Sequence, residues 1–69
     1  MLKNYEAYDK VNDVCIYSGK HQSSMVIELE EYINGQNHIN EDLISEIEIK
    51  TLNERALKKI GIAIYINVT

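Results

Sequence analysis

The chain contains no proline, no tryptophan and no phenylalanine, and it has only three glycines and one cysteine. Each absence removes a class of answer. A single cysteine, Cys15, forms no intrachain disulfide, and with His21 and His38 as the only histidines there is no Cys/His spacing of the kind that holds structural zinc. Without such a staple, 69 residues must fold on a thin apolar core, and self-association would add burial. Lacking Phe and Trp, that core draws its bulk from eleven isoleucines and five tyrosines. The longest apolar run, Ile62 to Ile66, is far too short to span a bilayer, and the polar opening "MLKNYEAYDK" does not read as a signal peptide, so the expected location is cytoplasmic.

What is present is an apolar fraction of 45% against a net charge of −4, too apolar for a disordered chain and consistent with one small domain over residues 1–69. Eleven Ile and seven Asn beside a single Arg are the bias that AT-rich codons produce. A low-GC bacterium or one of its phages is the expected source.

The clearest period lies in "IAIYINVT", where Ile62, Ile64, Ile66 and Val68 share one face and Ala63, Tyr65, Asn67 and Thr69 the other, a strand with one side expected to be buried. Before it, "TLNERALKKIG" reads as a helix over 52–60, with Thr51 and Glu54 in capping-box spacing and Gly61 at the stop. "SEIEIKT" alternates Ile47 and Ile49 against Glu46, Glu48 and Lys50, which predicts a second strand. Residues 25–34 read as a helix, with Met25, Val26, Leu29, Tyr32 and Ile33 on one side, Ser23 or Ser24 as cap and Gly35 as terminator. "NDVCIYSG" predicts a strand that puts Val14 and Ile16 on one face and Cys15 and Tyr17 on the other. Residues 1–10 carry no clear period. The expected fold is therefore α+β, a small three-stranded sheet, parallel or mixed, with two helices on one face in the order β-α-β-α-β. A winged helix-turn-helix with two helices in 41–60 fits less well, because residues 45–51 alternate and the turn between those helices would contain no glycine.

Three surfaces are candidates for function. From His21 to Ile49 there are seven acids, Glu28, Glu30, Glu31, Glu41, Asp42, Glu46 and Glu48, with no Lys or Arg between Lys20 and Lys50. Such a surface steers toward a basic partner, and a solvated face kept charged for solubility is the competing explanation. Tyr17, Tyr65, Ala63 and Cys15 fall opposite the aliphatic faces of their strands, and tyrosine is enriched at interfaces, so docking or homodimerisation through Tyr17 and Tyr65 is the second candidate, with an N-terminal segment carrying Leu2, Tyr5 and Tyr8 folded over that side as the competing explanation. The third is "SGKHQSS" between strand and helix, where Lys20, His21, Ser23 and Ser24 could hold an anion. It lacks the glycine spacing and the Ser/Thr of a nucleotide-binding loop, and an ordinary polar loop explains it as well.

No paired carboxylates, triad or metal set appears, and Cys15 has no fixed cation beside it, so neither an enzyme nor a cofactor is expected. The leading expectation is a non-catalytic protein-binding module, a phage or mobile-element accessory protein that inhibits or modulates a host protein through an acidic surface. A nucleic-acid-binding regulator using Arg55, Lys58 and Lys59 is the alternative, weakened by a sequence pI near 5.0. A small-anion or nucleotide binder is the other.

Overall fold

The segment "KNYEAYD", which the apolar period alone leaves unassigned, forms the central strand of the sheet in the computed structural model, which describes residues 2–36, 39 and 43–68. Its odd residues Tyr5, Ala7 and Asp9 are buried while Lys3 is exposed, and the even residues Asn4, Glu6 and Tyr8 stay half-exposed on the other face. This strand, β1 (Lys3–Asp9), turns through residues 10–13 into β2 (Val14–Gly19). Helix α1 (Gln22–Asn34) follows, then two short helices, α2 (Glu46–Lys50) and α3 (Glu54–Lys59), and finally β3 (Ile62–Val68). The sheet order is β2-β1-β3 and both pairings are antiparallel. The α+β class holds, but among the described residues the order is β-β-α-α-α-β, with three α-helices instead of two and no parallel strand pair.

The predicted strand over "SEIEIKT" is helix α2, and the reason is local. Ser45 at the N-cap accepts from the Glu48 amide at 3.2 Å while the Glu48 carboxylate accepts from the Ser45 amide at 2.9 Å, a complete capping box. Once the helix is started, Ile47 and Ile49 no longer share a face: Ile49 is buried and Ile47 is 73% exposed. Thr51, expected to start the next helix, instead ends α2 and donates its hydroxyl to the Ile47 carbonyl at 2.8 Å. The cap of α3 is Asn53, whose Oδ1 accepts from the Ala56 amide at 3.2 Å. Between the two helices the Leu52 amide donates to Ile49 O and the Asn53 amide to Glu48 O, the paired bonds of a Schellman motif. The left-handed residue of that motif is Leu52, at φ 52°, where glycine is usual. The next such position, at the end of α3, does carry the expected glycine, Gly61 at φ 84°.

Helix α1 begins earlier than expected, at Gln22, with His21 at the N-cap and no side-chain cap bond, so neither Ser23 nor Ser24 serves as cap. It buries Met25, Leu29 and Ile33, one residue per turn on one side, and Gly35 caps its end. These side chains meet Tyr5 and Ala7 of β1, Ile62 of β3, Ile49 of α2, and Ala56 and Leu57 of α3 in one core. Helices of five and six residues are too short to persist alone and depend on these caps and contacts. The face of β3 toward the helices is covered only in its first half. Ile62 is 3% exposed and Ile64 is partly buried, whereas Ile66 is 47% and Val68 53% exposed, so the strand does not have one fully buried side. No helix among the described residues is long and apolar enough to cross a membrane.

The helical assignment of 46–50 makes Ile47 and Ile49 unequal. Ile49→Asp should cost about 3 kcal/mol or more, a buried unpaired charge, while Ile47→Asp should stay within about 0.5 kcal/mol of the parent in urea denaturation. Equal losses would return this segment to a strand.

Candidate functional site

No described helix packs on the sheet face away from α1, α2 and α3. Along β1 this face presents Asn4, Glu6 and Tyr8, along β3 Ala63, Tyr65 and Asn67, and along β2 Cys15 and Ser18, since Glu6 pairs with Tyr65 and Ser18, and Tyr8 with Ala63 and Cys15. None of these is buried. Tyr8 and Tyr65, diagonal neighbours across the β1–β3 pair, meet edge to face with ring centroids 5.8 Å apart and planes at 66°. The Lys10 ammonium stands 5.7 Å from the Tyr8 centroid and 5.6 Å from that of Tyr65, within cation–π range of both. Tyr8 donates its hydroxyl to Glu6 at 2.8 Å, and the Asn4 amide donates to the other Glu6 oxygen at 3.3 Å. The hydrogen bond to the Glu6 carboxylate, with smaller contributions from burial and from the Glu6 charge, favours the neutral phenol and pushes the Tyr8 pKa up to about 12.

Lys10 is held in place by its neighbour. Asp9, fully buried at the end of β1, accepts at Oδ1 from the Val11 amide at 2.9 Å and the Asn12 amide at 3.2 Å, and at Oδ2 from the Asn12 side chain at 3.0 Å and from the Tyr32 hydroxyl of α1. Burial alone would raise the pKa of this carboxyl. The hydrogen bonds from Tyr32, Asn12 and Val11 outweigh burial and hold it below the ordinary 3.8, while Tyr32 is raised by the same bond. The turn so fixed lets Asp13 take φ 55° and lets the Lys10 amide donate to Gly61 O at 2.8 Å, tying the turn to the start of β3.

Tyr17 is not part of the open face. The β1–β2 register slips between Ala7 and Tyr8, so that Ala7 pairs with Tyr17 and Tyr8 with Cys15, and Ile16 is the extra residue of a bulge. Cys15 and Tyr17, two apart in sequence, therefore fall on opposite faces, and Tyr17 packs half-buried against the core beside Ile16. Simple alternation misses this because a bulge breaks the period at one residue. Val14, expected inward beside Ile16, pairs with buried Asp9 on the core side of the sheet, yet at the start of β2 it remains exposed. Tyr65 is on the open face as expected, and its companion is Tyr8.

The acids divide. Glu28 and Glu31 are exposed on α1 and Glu30 is half-buried. Glu46 pairs with Lys50 at 3.0 Å, and the hydrogen bond to Glu46, its charge and that of Glu30 raise Lys50. Glu48 is occupied by the Ser45 cap, whose bonds lower its pKa, with Lys59 adding a small attraction. Glu41 and Asp42 lie outside the described residues. Lys50 is thus folded back among acids that the sequence places in a lysine-free stretch. Of the predicted anion loop, Lys20 and His21 are exposed and Ser23 and Ser24 lie in the first turn of α1, but Tyr17 turns its ring over the loop: the His21 amide donates to the Tyr17 hydroxyl at 3.3 Å, and the same ring lies close over Gly19. Arg55, Lys58 and Lys59 are all exposed on α3 beside Glu54.

No protein-family model, no curated protein and no solved structure matches this chain. Among the described residues no group of three or more His, Cys, Asp or Glu could hold a metal ion. The site chemistry that can be argued is that of a preformed surface, with two rings, one ammonium and one carboxylate fixed by each other.

Sequence reasoning missed Asp9 and Lys10, and it offered Tyr8 only as part of a segment folded over this face, whereas Tyr8 belongs to the central strand and to the face itself. The Asp9-x-x-Asn12 spacing, an Asx turn before a strand, is the signal that could have found Asp9 and Lys10.

Two measurements follow from these bonds. The folded pKa of Asp9 lies below its unfolded value, so its contribution is full above the ordinary carboxylate range and is lost as pH falls through that range toward the folded value. Asp9→Asn should cost about 2–3 kcal/mol at neutral pH, and its unfolding free energy should fall less than the parent's between about pH 5 and pH 2. Parallel pH curves would deny Asp9 this role. Glu6→Gln should bring one tyrosine, resolved by ring-carbon NMR titration, from about 12 back toward 10.0.

Proposed function

We infer that this chain is a non-catalytic protein-binding module whose partner, a protein with a basic surface, docks on the open sheet face around Tyr8 and Tyr65. The observation that carries the reading is Lys10, whose ammonium already stands over both rings with the Glu6 carboxylate on the same face. A platform that holds one cation suits an incoming arginine, which stacks on tyrosine and pairs with carboxylate in the same pose. The rings and their hydrogen bonds are set before binding, so little side-chain entropy is lost on docking. Glu28, Glu30 and Glu31 on α1 add the long-range attraction that raises the association rate, while Glu46 and Glu48 contribute less because Lys50 and the Ser45 cap already engage them. Inhibition or modulation of a host protein by a phage or mobile-element product is a role such a module fits.

The test is affinity capture from a low-GC bacterial host, followed by kinetics with the recovered protein. Tyr8→Ala and Tyr65→Ala, both folded by circular dichroism, should each weaken binding by about 1–2 kcal/mol, mainly through faster dissociation. Replacing Glu28 and Glu31 with Gln should slow association at low salt and flatten its salt dependence. Unchanged binding by both tyrosine variants would remove the open face from the interface.

A further inference from the structure

Strand β3 is an edge of the sheet; α3 packs on it, but among the described residues the strand itself has no charge, proline or bulge to guard that edge. Its seven residues, "IAIYINV", include no charge and no proline, and its register with β1 runs from Asp9–Ile62 to Lys3–Val68 without a bulge. The other edge, β2, is bulged at Ile16 and packed by α1. Among the described residues, β1 alone pairs with β3.

The ladder with β1 decides which backbone groups of β3 face outward. The Lys10 amide donates to Gly61 O, and Lys10 and Gly61 continue the ladder in which Asp9 faces Ile62. In an antiparallel pair, hydrogen-bonded and non-hydrogen-bonded positions alternate. Tyr8–Ala63, Glu6–Tyr65 and Asn4–Asn67 are then the bonded pairs, and Ile62, Ile64, Ile66 and Val68 turn their N–H and C=O groups outward to the free edge. The same four residues carry the aliphatic face, of which Ile66 and Val68 are exposed.

The geometry points to a second copy of this chain as the occupant of this edge, its β3 laid antiparallel to the first about a two-fold axis at Tyr65. In that register Ile64 faces the partner's Ile66 and Ile62 faces the partner's Val68, with the two Tyr65 residues opposite one another. Every outward amide and carbonyl of β3 then meets one of the partner's, because residues with outward groups face residues with outward groups. Moving the register by one residue in the pairing would set aliphatic faces against polar ones, and longer slips would shorten the overlap. Each copy's exposed Ile66 and Val68 come beside the other's Ile64 and Ile62. Charge also permits it: despite a net charge of −4, the acids of α1 and α2 belong to elements that pack on β1, β2, α3 and each other, the meeting strands carry none, and α3, which packs on β3, sets Arg55, Lys58 and Lys59 against Glu54 alone. On the open face the two Tyr65 residues occupy a non-bonded pair, where side chains approach most closely, so the two tyrosine platforms become one. This assembly forms through the β3 edge, whereas the heterologous partner proposed above docks on the sheet face.

The experiment is sedimentation of the full chain over a concentration series, combined with amide exchange. The expected result is reversible growth from 8.0 kDa to twice that mass, with the Ile64 and Ile66 amides gaining protection as dimer forms. Ile66→Pro removes an outward donor while sparing the bonds to β1, and Ile66→Lys places a guarding charge at the edge; each should raise the dimer dissociation constant about tenfold or more. Should Ile66→Pro fail to fold, Ile66→Lys carries the test. A monomer at all concentrations, an unbounded ladder of oligomers, or a dimer that survives both edge variants and is lost in Tyr8→Ala would each overturn the proposal.

Discussion

A buried carboxylate at the end of the central strand organises the molecule. Asp9 reaches the hairpin turn through the amides of Val11 and Asn12 and the first helix through the Tyr32 hydroxyl, so three elements are fixed at one charge. Burying a charge is unfavourable unless donors surround it, and here the donors come from parts of the chain that would otherwise be free to move. The turn it sets delivers Lys10 to the open face and the Lys10 amide to Gly61, which in turn starts β3. The tyrosine platform and the outward row of β3 both descend from this point.

The fold was legible in the sequence where period and punctuation agreed. Met25, Leu29 and Ile33 with Gly35 mark a helix, and Ile62 to Val68 after Gly61 mark a strand; both elements are there. It was illegible where one rule hid another. Ile47 and Ile49 alternate as a strand would, yet the Ser45–Glu48 capping box governs, and a five-residue helix is too short for its own period to be read. Leu52 occupies a left-handed position without glycine, so the stop between α2 and α3 left no mark in the sequence. Of the candidate surfaces, Tyr65 was placed correctly, whereas Tyr17 was misplaced by a single bulged residue and Tyr8 went unrecognised as a strand residue because β1 mixes polar and aromatic residues on its open face. The acidic stretch is linear in sequence but not in space, since Lys50 returns to Glu46 across one helical turn.

The two exposed regions of the sheet differ in kind. The open face is polar and aromatic, with Glu6 held by Tyr8 and Asn4 and Lys10 standing over the Tyr8 and Tyr65 rings, and suits recognition of a partner by side chains. The β3 edge is apolar and presents backbone that no second described strand pairs, which recognises another strand by its hydrogen-bond spacing whatever its sequence. Tyr65 belongs to both, because its ring lies on the face and its strand forms the edge. Occupation of one region thereby alters the surroundings of the other.

The order of the strands also bears on how the chain reaches this structure. β1 meets β2 across a short turn but meets β3 only after three helices have intervened, a connection roughly ten times longer that adds about 2 kcal/mol of loop-closure entropy. A two-stranded hairpin is marginal in water by itself, and the helices between are too short to compensate unaided. The long-range β1–β3 ladder and the burial of Leu57 and Ile62 beneath it must therefore appear in the same event as the helices, giving a chain of high contact order whose parts gain their stability together.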